Sequence, residues 1–249
     1  MRDIKAIGFD LFNTLIFIEP DTLIHAMQRM IKSLINSGFS IDEESYVRDY
    51  RDAAAIYVAK SRHNGIETHN SIWVSHVLNS YGIQVLPADE RIALAVEQYF
   101  TAFYERVNLI PETFKTLARL KRGYSLGLLS NFTHGPAARE ILRLTGLEPF
   151  FDAVIISGEQ GYRKPHSYVF DELARELGVK KETIAFIGDD PEPDIHGASR
   201  AGLNPVWFTY VFENSMPVIK GTIQSEINAP FIDVPRAASW QELLMLLGC

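Results

Sequence analysis

The sequence predicts an α/β protein: a doubly wound parallel sheet interrupted, directly after its first strand, by an all-helical insert. Three observations predict it. Short apolar runs without polar alternation recur along the chain, at Ile4–Phe9, Ser125–Leu129, Ala153–Ile156, Thr183–Ile187 and Pro205–Tyr210, and strands buried on both faces have this composition. Between the later runs lie segments with helical spacing, and strand alternating with helix implies right-handed crossovers in a parallel sheet. From about Glu19 to Val107 the alternation stops and only helical patterns remain.

The elements follow in order. Ile4–Phe9 is the first strand and ends on Asp10. In the insert, Leu23, Met27, Met30, Ile31, Leu34 and Ile35 make one amphipathic face, and Ile92, Val96, Tyr99, Phe100 and Phe103 make another. Ser40 and Glu43 have the spacing of a capping box. "NLIPET" at 108–113 leads back into the sheet, with Pro111 placed for a first helical turn. Helical spacing then recurs at Phe114, Leu117 and Leu120, at Ile141 and Leu142, at Phe170, Leu173 and Leu177, and at Leu243, Leu244 and Leu247. Residues 211–228 read as an irregular, polar-leaning excursion before a last short strand and helix. The domain boundaries expected are 1–18 with 108–249 for the sheet domain, and 19–107 for the insert.

Composition limits the function. The chain has 249 residues, 47% of them hydrophobic, enough for a sizeable core. A formal net charge of −7 argues against a general nucleic-acid binder, which needs a surplus of Lys and Arg. The single cysteine, Cys249, allows no internal disulfide and suits a reducing compartment. The N-terminus lacks a long apolar stretch, and no later segment approaches about 18 uninterrupted apolar residues, the length of a spanning helix. A cytoplasmic enzyme acting on a small molecule is the expectation, with neither nucleic acid nor membrane as partner.

Ligands of a doubly wound sheet gather at the carboxyl ends of its strands. The first strand ends in Asp10, the second in Ser130 and Asn131, and the fourth in Gly188, Asp189 and Asp190, with Asp194 close behind. The turn "GEQGYRKPHSYVF" after the third strand carries Arg163 and Lys164. Each residue alone has an ordinary explanation: a turn cap for Asp10, an N-cap for Ser130 or Asn131, an Asx-turn for Asp189 and Asp190, a solvated side chain for Lys164. Their convergence on one edge is what singles them out.

"FDLFNTL", "LLSN", "YRKPHSYVF" and "FIGDDPEPDIHGA" resemble, in order and spacing, the four signatures of the haloacid dehalogenase-like (HAD) hydrolase superfamily, and the helical insert resembles that family's C1 cap on a Rossmann-like core. The resemblance spans essentially the whole chain, although the cap has no matching motif. It implies that Asp10 is the nucleophile, that Ser130 and backbone N–H groups near Phe12 and Asn131 bind a phosphoryl group, and that Lys164 neutralises Asp10 and the substrate. It further implies Mg²⁺ held by Asp10, Asp189 and the backbone carbonyl of Phe12. Asp194 and Asp190 would stand behind these ligands, Asp194 orienting metal-bound water or Lys164. Electrostatics agrees, because an anionic nucleophile cannot approach a phosphate dianion unless cations offset the repulsion, and oxygen-only donors suit Mg²⁺.

Phe12 departs from the pattern. The family's phosphatases usually carry there an aspartate that protonates the leaving group; its 2-haloacid dehalogenases carry an aromatic residue, since a halide leaves without a proton. General acid help is typically worth roughly 10² to 10⁴ in rate. Three readings therefore stand: a Mg²⁺-dependent phosphatase of a small phosphorylated metabolite, a metal-independent 2-haloacid dehalogenase, and a catalytically impaired phosphate-binding module. The concentration of Asp189, Asp190 and Asp194 favours the first, as a carboxylate substrate would be repelled there without a cation. His134 and the insert's His63, His69 and His76 are alternative proton donors by proximity alone. Asn13 is read as a residue tolerating unusual φ, Thr14 as bonded within the loop, and Trp73 as packed in the insert.

Overall fold

The computed structural model describes residues 3–217 and 232–249. Its main sheet has six parallel strands in the order β5-β4-β1-β6-β7-β8: Ala6–Phe9 (β1), Ser125–Ser130 (β4), Ala153–Ile156 (β5), Ile184–Gly188 (β6), Asn204–Phe208 (β7) and Arg236–Ala237 (β8). All four residues of β1 and all five of β6 are buried, as expected of strands covered on both faces. Helices α5 (Thr113–Leu120), α6 (Gly135–Leu144), α7 (Ser157–Gln160), α8 (Ser167–Leu177), α9 (Gly197–Ala201), α10 (Tyr210–Glu213) and α11 (Trp240–Leu247) accompany the strands. The doubly wound parallel architecture predicted from the sequence is the one observed. Residues 218–228 of the expected excursion lie outside the described residues; Tyr210–Glu213 at its start is a short helix.

Two glycines let α8 lie close on the sheet. A Cβ at Gly8 would meet Phe186 and Leu173 at 2.8 and 2.9 Å, and one at Gly127 would meet Leu173 at 2.6 Å. Leu173 therefore seats over neighbouring β1 and β4, whose register aligns Gly8 with Gly127.

The segment 19–107 contains four helices: α1 (Thr22–Asn36), α2 (Glu43–Asn64), α3 (Asn70–Ser80) and α4 (Glu90–Arg106). Met27, Met30, Ile31 and Leu34 of α1 and Ile92, Val96, Tyr99, Phe100 and Phe103 of α4 are buried, and α1 packs along α4. The chain leaves and re-enters the sheet domain through a two-stranded antiparallel ribbon of Ile16–Ile18 (β2) and Val107–Leu109 (β3).

Local details differ from the expectations at two places. The start of α2 is capped by Asp42, whose Oδ1 accepts from the Ser45 N–H at 2.9 Å, and not by Ser40. The helix begins later than the Ser40 spacing implies, and a carboxylate interacts more favourably than a hydroxyl with the positive helix end. Pro111 lies in the turn before α5, where its carbonyl accepts from Trp240 Nε1 at 2.7 Å; Glu112, at φ 68°, reverses the chain into the helix.

Candidate active site

Sheet register brings Asp10 and Asp189 to one edge. β1 lies between β4 and β6, and Phe9 aligns with Leu128 on one side and Ile187 on the other. Asp10 therefore follows its strand opposite Leu129 and Gly188, one residue short of Ser130 and of Asp189, and all three reach the same carboxyl edge. The Asp10 N–H still donates to the Ile187 carbonyl at 2.9 Å, so the backbone holding the carboxylate is an extension of the sheet.

Lys164 is almost completely buried, with Nζ 2.5 Å from Asp10 Oδ1 and 2.7 Å from Asp194 Oδ1. The Asp194 contact is an ion pair without an aligned hydrogen bond. Its other oxygen, Oδ2, accepts from the Asp190 N–H at 3.0 Å. This folding of Asp194 back over the strand end requires Gly188, since a Cβ there would lie 2.4–2.5 Å from the Asp194 side chain. Thr14 Oγ1 donates to Asp10 Oδ2 at 3.3 Å, and Asn13 takes φ 60° to turn the loop between them, as its residue type allows.

Asp10, Asp189 and Asp194 each offer one oxygen within 4.8 Å of the others, and all three residues are buried. Burial raises the Asp10 carboxyl above the ordinary carboxylate range, with Asp194 adding to the rise and Lys164 opposing it. Asp189 is pushed up by burial and then by Asp10, Asp194 and Asp190; Asp190 is pushed up to about 6, again chiefly by burial and then by Asp194. Burial alone would lower Lys164, but Asp10 and Asp194 outweigh it and hold the ammonium above its ordinary value. One ammonium thus faces several carboxylates, a hard, oxygen-only donor set that a divalent cation of the Mg²⁺ type fits.

Asn131 is not an N-cap. Its Oδ1 accepts from the Lys164 N–H at 2.7 Å and its Nδ2 donates to the Lys164 carbonyl at 2.9 Å, so its side chain grips the backbone of the lysine. Its side chain is thus committed to the lysine backbone. The cap of α6 is His134, whose Nδ1 accepts from the Ala137 N–H at 3.2 Å while Nε2 meets Glu97 Oε1 at 3.2 Å. Stacked on Phe100 at 4.7 Å, that ring is committed to joining α6 to α4. His76 pairs with the Tyr57 hydroxyl at 3.3 Å, His69 stands at the start of α3, and Trp73 is buried with Nε1 donating to Thr68 Oγ1 at 2.9 Å.

Phe12 carries no hydrogen-bonding group to the site. Its ring lies parallel to Phe132 at 5.2 Å, and Phe132 packs in turn on Phe100 and Phe103 of α4. The Phe12 side chain, two residues past Asp10, is therefore one end of an aromatic stack joining the sheet domain to the helical segment. Sequence reasoning passed over the contacts of Arg163, Ser157 and Glu67, which meet in a buried cluster: Glu67 Oε1 accepts from Arg163 Nη1 at 3.1 Å, and Oε2 from Ser157 Oγ at 2.5 Å. "NGIETHN" around Glu67 reads as an ordinary polar turn, and no local signal marks it.

A family model described as haloacid dehalogenase-like hydrolase matches residues 4–202. The chain belongs to that family and is an enzyme of the hydrolase class. It is 28% identical over 211 residues to a glyceraldehyde 3-phosphate phosphatase of Pyrococcus furiosus, covering 84% of this chain and 82% of that protein. It is 29% identical over 206 residues to a ribulose-1,5-bisphosphate 5-phosphatase of Halopiger xanaduensis, covering 82% and 84%. Among solved structures, a 2-haloacid dehalogenase from Pseudomonas syringae superposes with a TM-score of 0.68 at 21% identity over 98% of each chain, a likeness of fold.

The environment of His134 predicts an acid-sensitive contribution to stability. Burial lowers its pKa below the ordinary 6.5, with His69 acting in the same direction and Glu97 against it. The unfolded chain therefore binds a proton more readily than the folded one, and this contribution is lost as pH falls below about 6.5. His134→Asn, which keeps a cap acceptor, should flatten the decline of the denaturation midpoint between pH 7 and pH 5; an unchanged slope would show that His134 does not contribute to it.

Proposed function

We propose that the protein is a Mg²⁺-dependent phosphatase of a small phosphorylated metabolite, working through an aspartyl-phosphate at Asp10. The observation that carries this reading is the buried set of Asp10, Asp189 and Asp194 around Lys164. Residues 1–18 with 108–249 form the catalytic core in this reading, and 19–107 the cap that closes over the crevice and excludes water. The names of the two relatives support including short sugar phosphates among the substrates to try.

Asp10 would attack phosphorus, forming the acyl-phosphate bond while the bond to the leaving oxygen breaks; water then hydrolyses the acyl phosphate and restores the carboxylate. Lys164 offsets the charge of the nucleophile and of the phosphoryl oxygens, and the Ser130 hydroxyl donates to one of those oxygens. Asp10, Asp189 and the Phe12 carbonyl would hold the Mg²⁺, with Asp194 and Asp190 behind them. When bound, the cation supplies positive charge that balances the acidic cluster and the phosphoryl group. With Phe12 stacked on Phe132, position 12 gives the departing oxygen no proton, so substrates whose leaving group is already a stable anion are favoured.

The aromatic residue at position 12 favours one second reading, a 2-haloacid dehalogenase, in which a departing halide needs no acid. Asp189 in its buried place beside Asp10 counts against it, because it would repel a carboxylate substrate.

A panel of sugar phosphates, acyl phosphates and 2-haloacids should show phosphate release that EDTA abolishes and that Asp10→Asn eliminates together with beryllofluoride labelling. Halide release persisting in EDTA would establish the dehalogenase reading instead, and no release of either kind would leave a phosphate-binding module.

Phe12→Asp should raise turnover, by up to about 10² for alkyl phosphates and far less for acyl phosphates. A rate gain independent of leaving-group pKa would defeat the argument about position 12.

A further inference from the structure

The cluster around Glu67 closes a ring through both loops of the site. Glu67 lies between α2 and α3, and its side chain is fully buried. Oε1 accepts from Arg163 Nη1 at 3.1 Å and from the Thr68 N–H at 2.8 Å. Arg163 is bonded to Lys164, whose backbone is gripped on both sides by the Asn131 side chain. Asn131 is followed by Phe132, whose N–H donates to Ser157 Oγ at 2.8 Å, and Ser157 Oγ donates back to Glu67 Oε2 at 2.5 Å. The path Glu67, Arg163, Lys164, Asn131, Phe132, Ser157 and back to Glu67 thus links the lysine of the site with the loop that begins at Ser130.

Main-chain bonds fix where this carboxylate enters. The Glu67 N–H donates to the Gly161 carbonyl at 2.9 Å, and the Arg163 N–H donates to the Gly65 carbonyl at 3.0 Å, so 65–67 pairs antiparallel with 161–163. Gly65 takes φ 71°, and a Cβ there would sit 2.7 Å from the His166 ring. Alongside, Thr133 Oγ1 donates to Asn70 Oδ1 at 2.6 Å, tying the same helical segment to the chain just past Phe132. The helical segment is therefore joined to the site loops at a point remote in sequence from the β2–β3 ribbon through which it is covalently attached.

We propose that Glu67 is a positioning residue: reaching from the helical segment, it fixes Lys164 and the Ser130 loop in their working geometry only while that segment is seated on the sheet domain. The inference rests on the phosphatase reading of the site. Withdrawing Glu67 would leave the guanidinium of Arg163, a residue only 5% exposed, as a buried charge without its carboxylate, and would free the Ser157 hydroxyl that holds Phe132. Relaxation of this kind displaces Lys164 from Asp10, and misplacement of about 1 Å at a reacting centre can cost about 10² in rate. Seating of the cap and assembly of the charged site are then one event.

A purely structural role makes a different prediction, because an apolar pair can replace a buried ion pair with little loss of stability. Glu67→Gln and the double variant Glu67→Met with Arg163→Met are assayed on a phosphate ester that the wild-type protein hydrolyses, at a temperature where circular dichroism shows each variant folded. The expected result is a kcat lowered about tenfold or more with KM within about threefold, in the double variant despite a thermal midpoint near that of the wild type. A folded double variant with wild-type kcat overturns the proposal, and that variant decides if Glu67→Gln does not fold. Wild-type protein that releases no phosphate from any ester defeats the phosphatase reading alone. Beryllofluoride affinity then judges the ring: binding weakened about tenfold in the double variant upholds it, and unchanged binding overturns it.

Discussion

Three carboxylates and one ammonium group meet at the carboxyl edge of the central strands, all withdrawn from water. Charges so placed repel one another strongly in a low-dielectric site, and burial without compensation drives carboxylates toward protonation. The raised Asp10 and Asp189 carboxyls express that tension. Lys164 relieves part of it by touching Asp10 and Asp194, and the geometry around it serves that contact. Gly188 makes room for the Asp194 carboxylate, Asn131 clamps the lysine backbone, and Asn13 turns the loop that returns Thr14 to Asp10. A divalent cation, held by the oxygens that remain, balances the rest in the proposed enzyme.

The same constraint explains why the helical segment matters to chemistry. Electrostatic interactions that would be weak in water become strong only where water is excluded. Among the contacts the helical segment makes with the site's surroundings are an aromatic stack running from Phe12 through Phe132 to Phe100 and Phe103, and the buried Glu67 with its partners Arg163 and Ser157. Phe12 occupies a place where a carboxylate would add one more negative charge to an already crowded edge. Its aromatic ring instead extends the apolar wall formed with Phe132.

Much of this was legible in the sequence because it follows from burial and strand order. β1, β5 and β6 are unbroken apolar runs and β4 is one between its two terminal serines, and once they form a parallel sheet, strand order and register send Asp10, Ser130 and Asp189 to one edge. The face of α4 was legible for the same reason, since Ile92, Val96 and Phe100 repeat at helical spacing. What could not be read depends on contacts between distant segments. The ribbon of Ile16–Ile18 with Val107–Leu109 is three residues long on each side and is specified by pairing across the whole helical segment. For Asn131 the sequence offers a cap or a place in a phosphate-binding loop, and the bond of its side chain to the backbone of Lys164 depends on a partner distant in the chain. Glu67 stands in a polar turn whose composition says only that the chain bends, and its burial arises from Arg163 and Ser157 far along the chain. His134 shows the converse: a histidine close to Ser130 in sequence is taken up in capping α6 and pairing with Glu97.

Calorimetric titration of the protein with Mg²⁺, in parallel with Asp189→Asn, tests most directly whether a cation completes the charge balance at this edge. The account predicts saturable binding to the wild-type protein and affinity lowered by about tenfold or more in the variant. Absence of binding at millimolar Mg²⁺, or equal affinity in both proteins, would contradict it.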